Sequence, residues 1–418
     1  MKVFLLGIFA VTLLPAADDR LLALALKAQS DYDRIEMMPR PKIAESEACI
    51  QSQAAALSVA DPGERSQLHF HKGYCTLAAA FAGGQKSQYL AAAAEFDLAA
   101  QGWPDRPRKN PKKTPPEPIS SALPIYASVA LLLGNPGSEA TAAVGREIST
   151  ALDAPSCNSD LMPQEACRGA LELGAQWAGW IALHENRFDE ALRRFPESPN
   201  SGWRKWAEGR REFDAGRYAA AAPLYGAAVD RWKIIWQGEG PTFRQSLGPR
   251  PTIATALADW GAARMLAGDL AGAITTLNAS LQADPKNAHA LFLRARAREL
   301  SGNKDQALTD YNLASRSAFA ASENLASGEA HLYRGIGLYR RGDFAAAEEE
   351  FASSLNFEMA QTLRPDARAW RHLAAVAQGS CGSAKDSLSQ VLPEVSPYFP
   401  RDEARSLSAA CGATSQRP

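Results

Sequence analysis

His71 and Cys75 stand four residues apart, with His69 two residues before them. A histidine and a thiol on one helix face are the beginning of a tetrahedral zinc site. Such a site needs further ligands, and no CxxC pair or second His/Cys cluster supplies them, so no metal is expected. Phosphate chemistry is equally incomplete. Gly84-Gln85-Lys86-Ser87 carries the end of a phosphate loop without its first glycine, and Gly238-Glu239-Gly240 leads into no helix with a third. GxSxG, HExxH and GxGxxG are absent, and His184-Glu185 has no second histidine four residues on. Carboxylate runs such as Glu348-Glu349-Glu350 read as a solvated helix face. The chain is therefore not expected to be an enzyme, and no cofactor is implied. The alternative is a secreted or periplasmic enzyme whose sparse site is assembled from distant segments.

The remaining reactive residues are the cysteines, six in all, an even number that in an exported chain points to disulfides. Cys49 and Cys75 are equidistant from Pro62, in the breaker Asp61-Pro62-Gly63 between two apolar-periodic helices. Residues equally far from the turn of an antiparallel helix pair face each other, so these two sulfurs can meet. Cys381 and Cys411 are symmetric about Ser396, within the Pro393 to Pro400 connection. Cys157 and Cys167 bracket a helix-poor stretch around Met162-Pro163. Three local bridges follow.

Export itself is read from the first residues. Lys2 is followed by an apolar stretch from Val3 to Ala17 and then Asp18-Asp19-Arg20, the charged, apolar, small-residue order of a secretory signal. Residues 1–17 are assigned as a signal peptide, which places the protein in the periplasm or outside the cell. The stretch is shorter than the roughly twenty apolar residues that span a bilayer, and no membrane span is expected beyond an uncleaved signal-anchor. Forty-five basic against 46 acidic residues give a net charge of -1. Without a long-range positive field, nucleic acid is not an expected partner. Trp103 to Pro118, with six prolines and five basic residues, reads as a stiff spacer between helices.

The elements that carry these residues repeat. Offset by 34 residues, Gly268-Asp269-Leu270 aligns with Gly302-Asn303-Lys304 and Ala273 with Ala307. Four segments share the pattern: Gly209, Gly216, Tyr218, Ala221, Tyr225 and Ala228; Trp260, Gly261, Gly268, Ala273, Leu277 and Pro285; Ala295, Gly302, Ala307, Tyr311 and Ala314; and Gly335, Gly342, Asp343, Phe344, Ala347 and Phe351. A fifth, Gly179 to Phe195, has Asn186 at its turn, where asparagine tolerates the left-handed conformation. Small residues fall where two helices cross, and large rings fill the space beside them.

These segments resemble the tetratricopeptide repeat, clearly so over roughly residues 168 to 392. The resemblance implies an all-α, right-handed superhelix of about seven to nine helix pairs, because one hairpin cannot bury its own apolar face and copies must stack. Residues 18–165 are read as degenerate N-terminal helical pairs, 166–392 as the repeat array, and 393–418 as a C-terminal capping helix and tail. Two insertions, Gln237 to Thr252 and one near Ser315 to Ser327, break the register and are either functional elements or tolerated loop drift.

In this family the first helices line a concave groove that receives a peptide or an extended protein segment. Mapped onto this chain, the groove positions are Trp180, His184, Trp203, Trp206, Arg210, Phe213, Phe292, Arg296, Tyr339 and Arg340. Aromatic rings and arginines together offer contact area and charge-assisted bonds to carboxylates; the same rings could instead fill gaps between repeats. The expected role is a protein-binding adaptor or scaffold. A structural component of an envelope assembly, built by self-association, is the third reading.

Overall fold

The computed structural model describes residues 19–38, 40–102, 121–135, 138–153, 155, 157, 164–195, 202–236, 243–249, 252–321 and 327–414. The signal segment 1–17, the spacer 103–118, and parts of both insertions (237–242, 250–251 and 322–326) lie outside them. Among the described residues the chain is all-α, with no strand, and no helix is long and apolar enough to cross a membrane.

Two compact units divide the chain: Met1–Ala207 with Trp232–Pro249, and Glu208–Arg231 with Arg250–Pro418. The first holds α1 (Asp19–Met37), α2 (Ile43–Leu57), α3 (Pro62–Gly83), α4 (Lys86–Gln101), α5 (Ala122–Gly134), α6 (Ser138–Asp153), α7 (Gln164–His184) and α8 (Phe188–Arg194). Helices α9 (Trp203–Asp214) and α10 (Tyr218–Trp236) contribute residues to both, and α11 (Phe243–Ser246) returns to the first. The second continues with α12 (Ile253–Leu266), α13 (Leu270–Ala283), α14 (Ala288–Leu300), α15 (Lys304–Ala321), α16 (Gly328–Arg341), α17 (Phe344–Asn356), α18 (Arg364–Ala377), α19 (Ser383–Val391) and α20 (Arg401–Thr414). Among the described residues, α1 packs on α2, α3 on α4, α5 on α6, α7 on α8, α12 on α13, α14 on α15, α16 on α17 and α18 on α19, and Gly209 of α9 lies against Tyr225 of α10.

Local chemistry sets the helix ends. Thr252, Asp269 and Asn287 each accept a backbone N–H three residues on, at 3.1, 3.0 and 3.0 Å, satisfying donors that a helix start leaves unpaired. Pro62 opens α3, where its missing N–H costs nothing.

Each unit has its own core. In unit 1, Phe70, Tyr74, Phe96 and Tyr126 form a buried aromatic nest. In unit 2, Tyr311, Phe351, Trp370 and Phe399 anchor the equivalent layer. The three expected disulfides form: Cys49–Cys75 and Cys381–Cys411, paired by their symmetry about a turn, and Cys157–Cys167 across the helix-poor stretch, with Cα separations of 5.9, 5.4 and 5.7 Å. The bridge at Cys75 takes up the thiol that could have served a metal. His71 stacks on Tyr32 with ring centroids 4.0 Å apart, and His69 pairs with Glu95 at 2.7 Å.

Candidate functional site

Burial sorts the ten groove candidates. In unit 1, Trp203 and Trp206 are 4% and 6% exposed. Trp203 stacks on Phe195 with centroids 5.5 Å apart and donates its indole N–H to the Pro249 carbonyl at 2.9 Å; Trp206 leans on Trp232 at 5.2 Å. Half-buried Trp180 meets Trp177 edge-on, and exposed His184 lies 3.9 Å from the Trp180 ring. In unit 2, Phe292, Arg296 and Tyr339 are buried, Phe213 and Arg340 are half-buried, and Arg210 reaches solvent beside Asp214 at 3.0 Å. Trp203, Trp206, Phe292, Arg296 and Tyr339 are therefore packing positions, closed by neighbours of their own chain. Large rings on a helix face serve either role, and only burial separates the two.

What closes the unit 2 positions is the segment between α19 and α20. Tyr398 sits against His289 and Phe292 of α14, with centroids 6.2 and 6.1 Å away. Phe399 meets Trp370 of α18 edge-on at 5.2 Å. The Ser396 backbone N–H donates to Asp366 at 2.7 Å. Glu403, on the first turn of α20, accepts from Arg340 at 2.7 and 2.8 Å and from the Tyr339 hydroxyl at 3.0 Å. Every one of these partners belongs to the first helix of a pair: α14, α16 or α18. The strap Val395–Glu403 thus occupies the face on which a ligand was expected.

Beneath Glu403 lies a second carboxylate. Glu299 pairs with Arg296 at 2.6 Å and Arg340 at 2.9 Å and accepts the Tyr311 hydroxyl at 2.7 Å. Burial alone would raise its pKa, but Arg296, Arg340 and the Tyr311 bond outweigh it and hold the carboxyl below its ordinary range. Asp259 of α12 differs. Burial pushes its carboxyl up to about 7, with Arg210 only partly opposing the shift.

Unit 1 is filled in the same manner by a different piece of chain. Phe243, fully buried, meets Tyr74 and Phe81 edge-on at 5.3 and 5.6 Å. Trp177 donates its indole N–H to the Leu247 carbonyl at 2.9 Å, and Arg244 pairs with Glu36. These partners lie on α1, α3 and α7, again first helices. The described part of the longer insertion, 243–249, is therefore a plug integral to the core of unit 1; loop drift does not describe it.

The pairs themselves share one internal register. Seven residues after a small residue of the first helix comes a left-handed turn residue: Asn186 at φ 57°, Gly216, Gly268, Gly302, and Gly342 at φ 89°. Sixteen residues after the small residue comes the side chain that fills the crossing: Phe195, Tyr225, Leu277, Tyr311 and Phe351. The approach is close enough that a Cβ on Gly335 would lie 2.5 Å from the Phe351 ring, and one on Gly261 2.6 Å from Leu277. Ala191, Ala221, Ala273, Ala307 and Ala347 occupy the matching second-helix position, all buried.

The hairpin register resembles that of the tetratricopeptide repeat.

No protein-family model and no curated protein matches the chain. Similar solved structures include a tetratricopeptide repeat protein from Parabacteroides merdae, 12% identical with a TM-score of 0.42, covering 79% of this chain and 100% of that one. Yeast Tom70 is 12% identical with a TM-score of 0.39, covering 96% and 97%. IFIT1 bound to m7Gppp-AAAA is 13% identical with a TM-score of 0.44, covering 96% and 87%.

Reasoning from family positions missed Asp259 of α12 and Glu299 of α14, and Tyr398 and Glu403 of the strap. Glu299 sits three residues past Arg296 on the same helix, a spacing visible in the sequence. The strap left another signal, adjacent aromatics Tyr398-Phe399 set between Pro397 and Pro400 in a connector that has no helical period.

Proposed function

We propose that this protein is a binding scaffold that holds an acidic, aromatic-bearing segment of another protein against the first helices of its unit 2 repeats, outside the cytoplasm. The observation that carries the reading is the grip on the strap. A non-repeat segment lies along α14, α16 and α18, with its ring on Phe292 and its carboxylate on Arg340. A surface that holds one segment this way has the contacts to hold another of like chemistry: apolar area for affinity and a charge-assisted bond for register. Three disulfides support a location where thiols are oxidised, consistent with the signal-like leader.

The test is site-specific crosslinking. A photoreactive residue at Phe213, half-buried on α9, is irradiated in the native envelope or secreted fraction. The expected result is capture of a discrete protein by the wild-type chain and loss of that capture in Arg340→Glu. No capture, or capture indifferent to the charge reversal, overturns the proposal.

A further inference from the structure

Arg340 is not fully used by the strap. Both Glu403 oxygens converge on one nitrogen, Nη1, at 2.7 and 2.8 Å, while Nη2 is buried and has no hydrogen-bond partner. An arginine facing a well-placed carboxylate forms two parallel bonds, one from each of two nitrogens. An unmet buried donor carries a desolvation cost that a better ligand recovers. The strap is also lightly bound through its backbone. Pro397 and Pro400 have no N–H to give, and among the described residues the strap makes a single backbone hydrogen bond to the first helices, from Ser396 to Asp366. Arg401 spends its guanidinium on the strap's own Val395 and Ser396 carbonyls. Both ends are nonetheless held close. The Cys381–Cys411 bridge encloses α19, the strap and most of α20 in one covalent loop, so the strap meets its face at a high effective concentration.

We propose that Val395–Glu403 is an internal pseudo-ligand: it covers the unit 2 face until a partner segment bearing an aromatic ring and a carboxylate displaces it and engages Arg340 through both nitrogens. The inference rests on the binding reading above and deepens it. It names the partner's chemistry, a phenol-like ring for the Phe292 position followed by an acidic group for Arg340, and it makes the C-terminus the element that sets the threshold for entry.

The probe is a fluorescent synthetic peptide with the sequence of residues 395–403, titrated into the full-length oxidised protein. Glu403→Gln weakens the internal competitor and leaves the face intact. The peptide is expected to bind this variant about tenfold more tightly than wild type, the effect of one charge-assisted bond, and to lose binding when its own glutamate is replaced by lysine. Equal affinity for wild type and Glu403→Gln, or indifference to the peptide's charge, overturns the inference. A second readout does not depend on the variant. Saturating peptide should speed amide exchange across 395–411 in the wild-type chain, and unchanged protection there contradicts displacement. The two proposals fail separately. If wild type and Glu403→Gln capture a native partner equally well, the pseudo-ligand is wrong and the scaffold stands. If the peptide enters the opened face but no protein is captured, the reverse holds.

Discussion

Arg340 and Glu403 meet across 63 positions of chain, the guanidinium 2.7 Å from the carboxylate and 5.1 Å above the ring of Trp370. The contact ties the last turn of α16 to the first turn of α20, and the same guanidinium reaches Glu299 beneath. Its two carboxylates are not equivalent. Glu403 is partly open to water, whereas Glu299 is more enclosed and depends on Arg340 and Arg296 together.

Removing the arginine should therefore cost more than removing Glu403. Arg340→Ala leaves Glu299 with one cation and should lower stability by about 2 to 4 kcal/mol, while Glu403→Gln should cost about 1 kcal/mol. Urea unfolding of the two single variants and the double variant measures the difference and the coupling. A larger loss for Glu403→Gln contradicts this ranking.

Phe243→Ala tests the plug. A fully buried ring replaced by a methyl group leaves a cavity and should cost about 3 to 5 kcal/mol. A tolerated surface loop would register roughly 0.5 kcal/mol or less in the same unfolding measurement.

Two glycines of α16 should respond in opposite directions. A Cβ on Gly335 would press into the Phe351 ring at 2.5 Å, so Gly335→Ala should destabilise by about 1 to 3 kcal/mol. At Gly337 the nearest side-chain atom is 3.6 Å away, and alanine there should stabilise the helix by up to about 1 kcal/mol. Thermal melts of the two variants read the signs directly.

His71 gives a pH dependence. Burial lowers its imidazole pKa to about 3, below the ordinary value of about 6.5. Between these values the unfolded chain binds a proton that the folded chain does not, so this residue's contribution to stability rises with pH across the window and is lost on acidification. Asp259 runs the other way, since its raised pKa favours the folded state at low pH and that advantage fades as pH rises from about 4 toward 7. Comparing His71→Gln with wild type isolates the first term. The wild-type chain should lose stability faster from pH 6.5 to 4.5, by at most about 1.4 kcal/mol per pH unit, and parallel curves contradict the assignment.

The parts of this fold that were legible in the sequence are those with a period or a symmetry. Gly335, Gly342 and Phe351 could be placed because a helix crossing needs a small residue opposite a large one, and the turn between them needs a left-handed residue. Cys49 and Cys75 could be paired because a hairpin brings residues equidistant from its turn together. Phe243 and Tyr398 have neither device. Each lies in an aperiodic connector whose destination is set by the surface it meets, and that surface is composed of residues far away in the chain. Trp203 and Trp206 show the complementary limit, since their spacing marks a first helix but does not say whether the rings face a ligand or a neighbouring helix.

Reversing the charge of Arg340 shows whether this residue selects a carboxylate on the unit 2 face. In the Glu403→Gln background, affinities are measured for two peptides with the sequence of residues 395–403, one ending in glutamate and one in lysine, with Arg340 either retained or replaced by glutamate. The arginine form should prefer the glutamate peptide and the Arg340→Glu form the lysine peptide. A preference that does not change with residue 340 contradicts it.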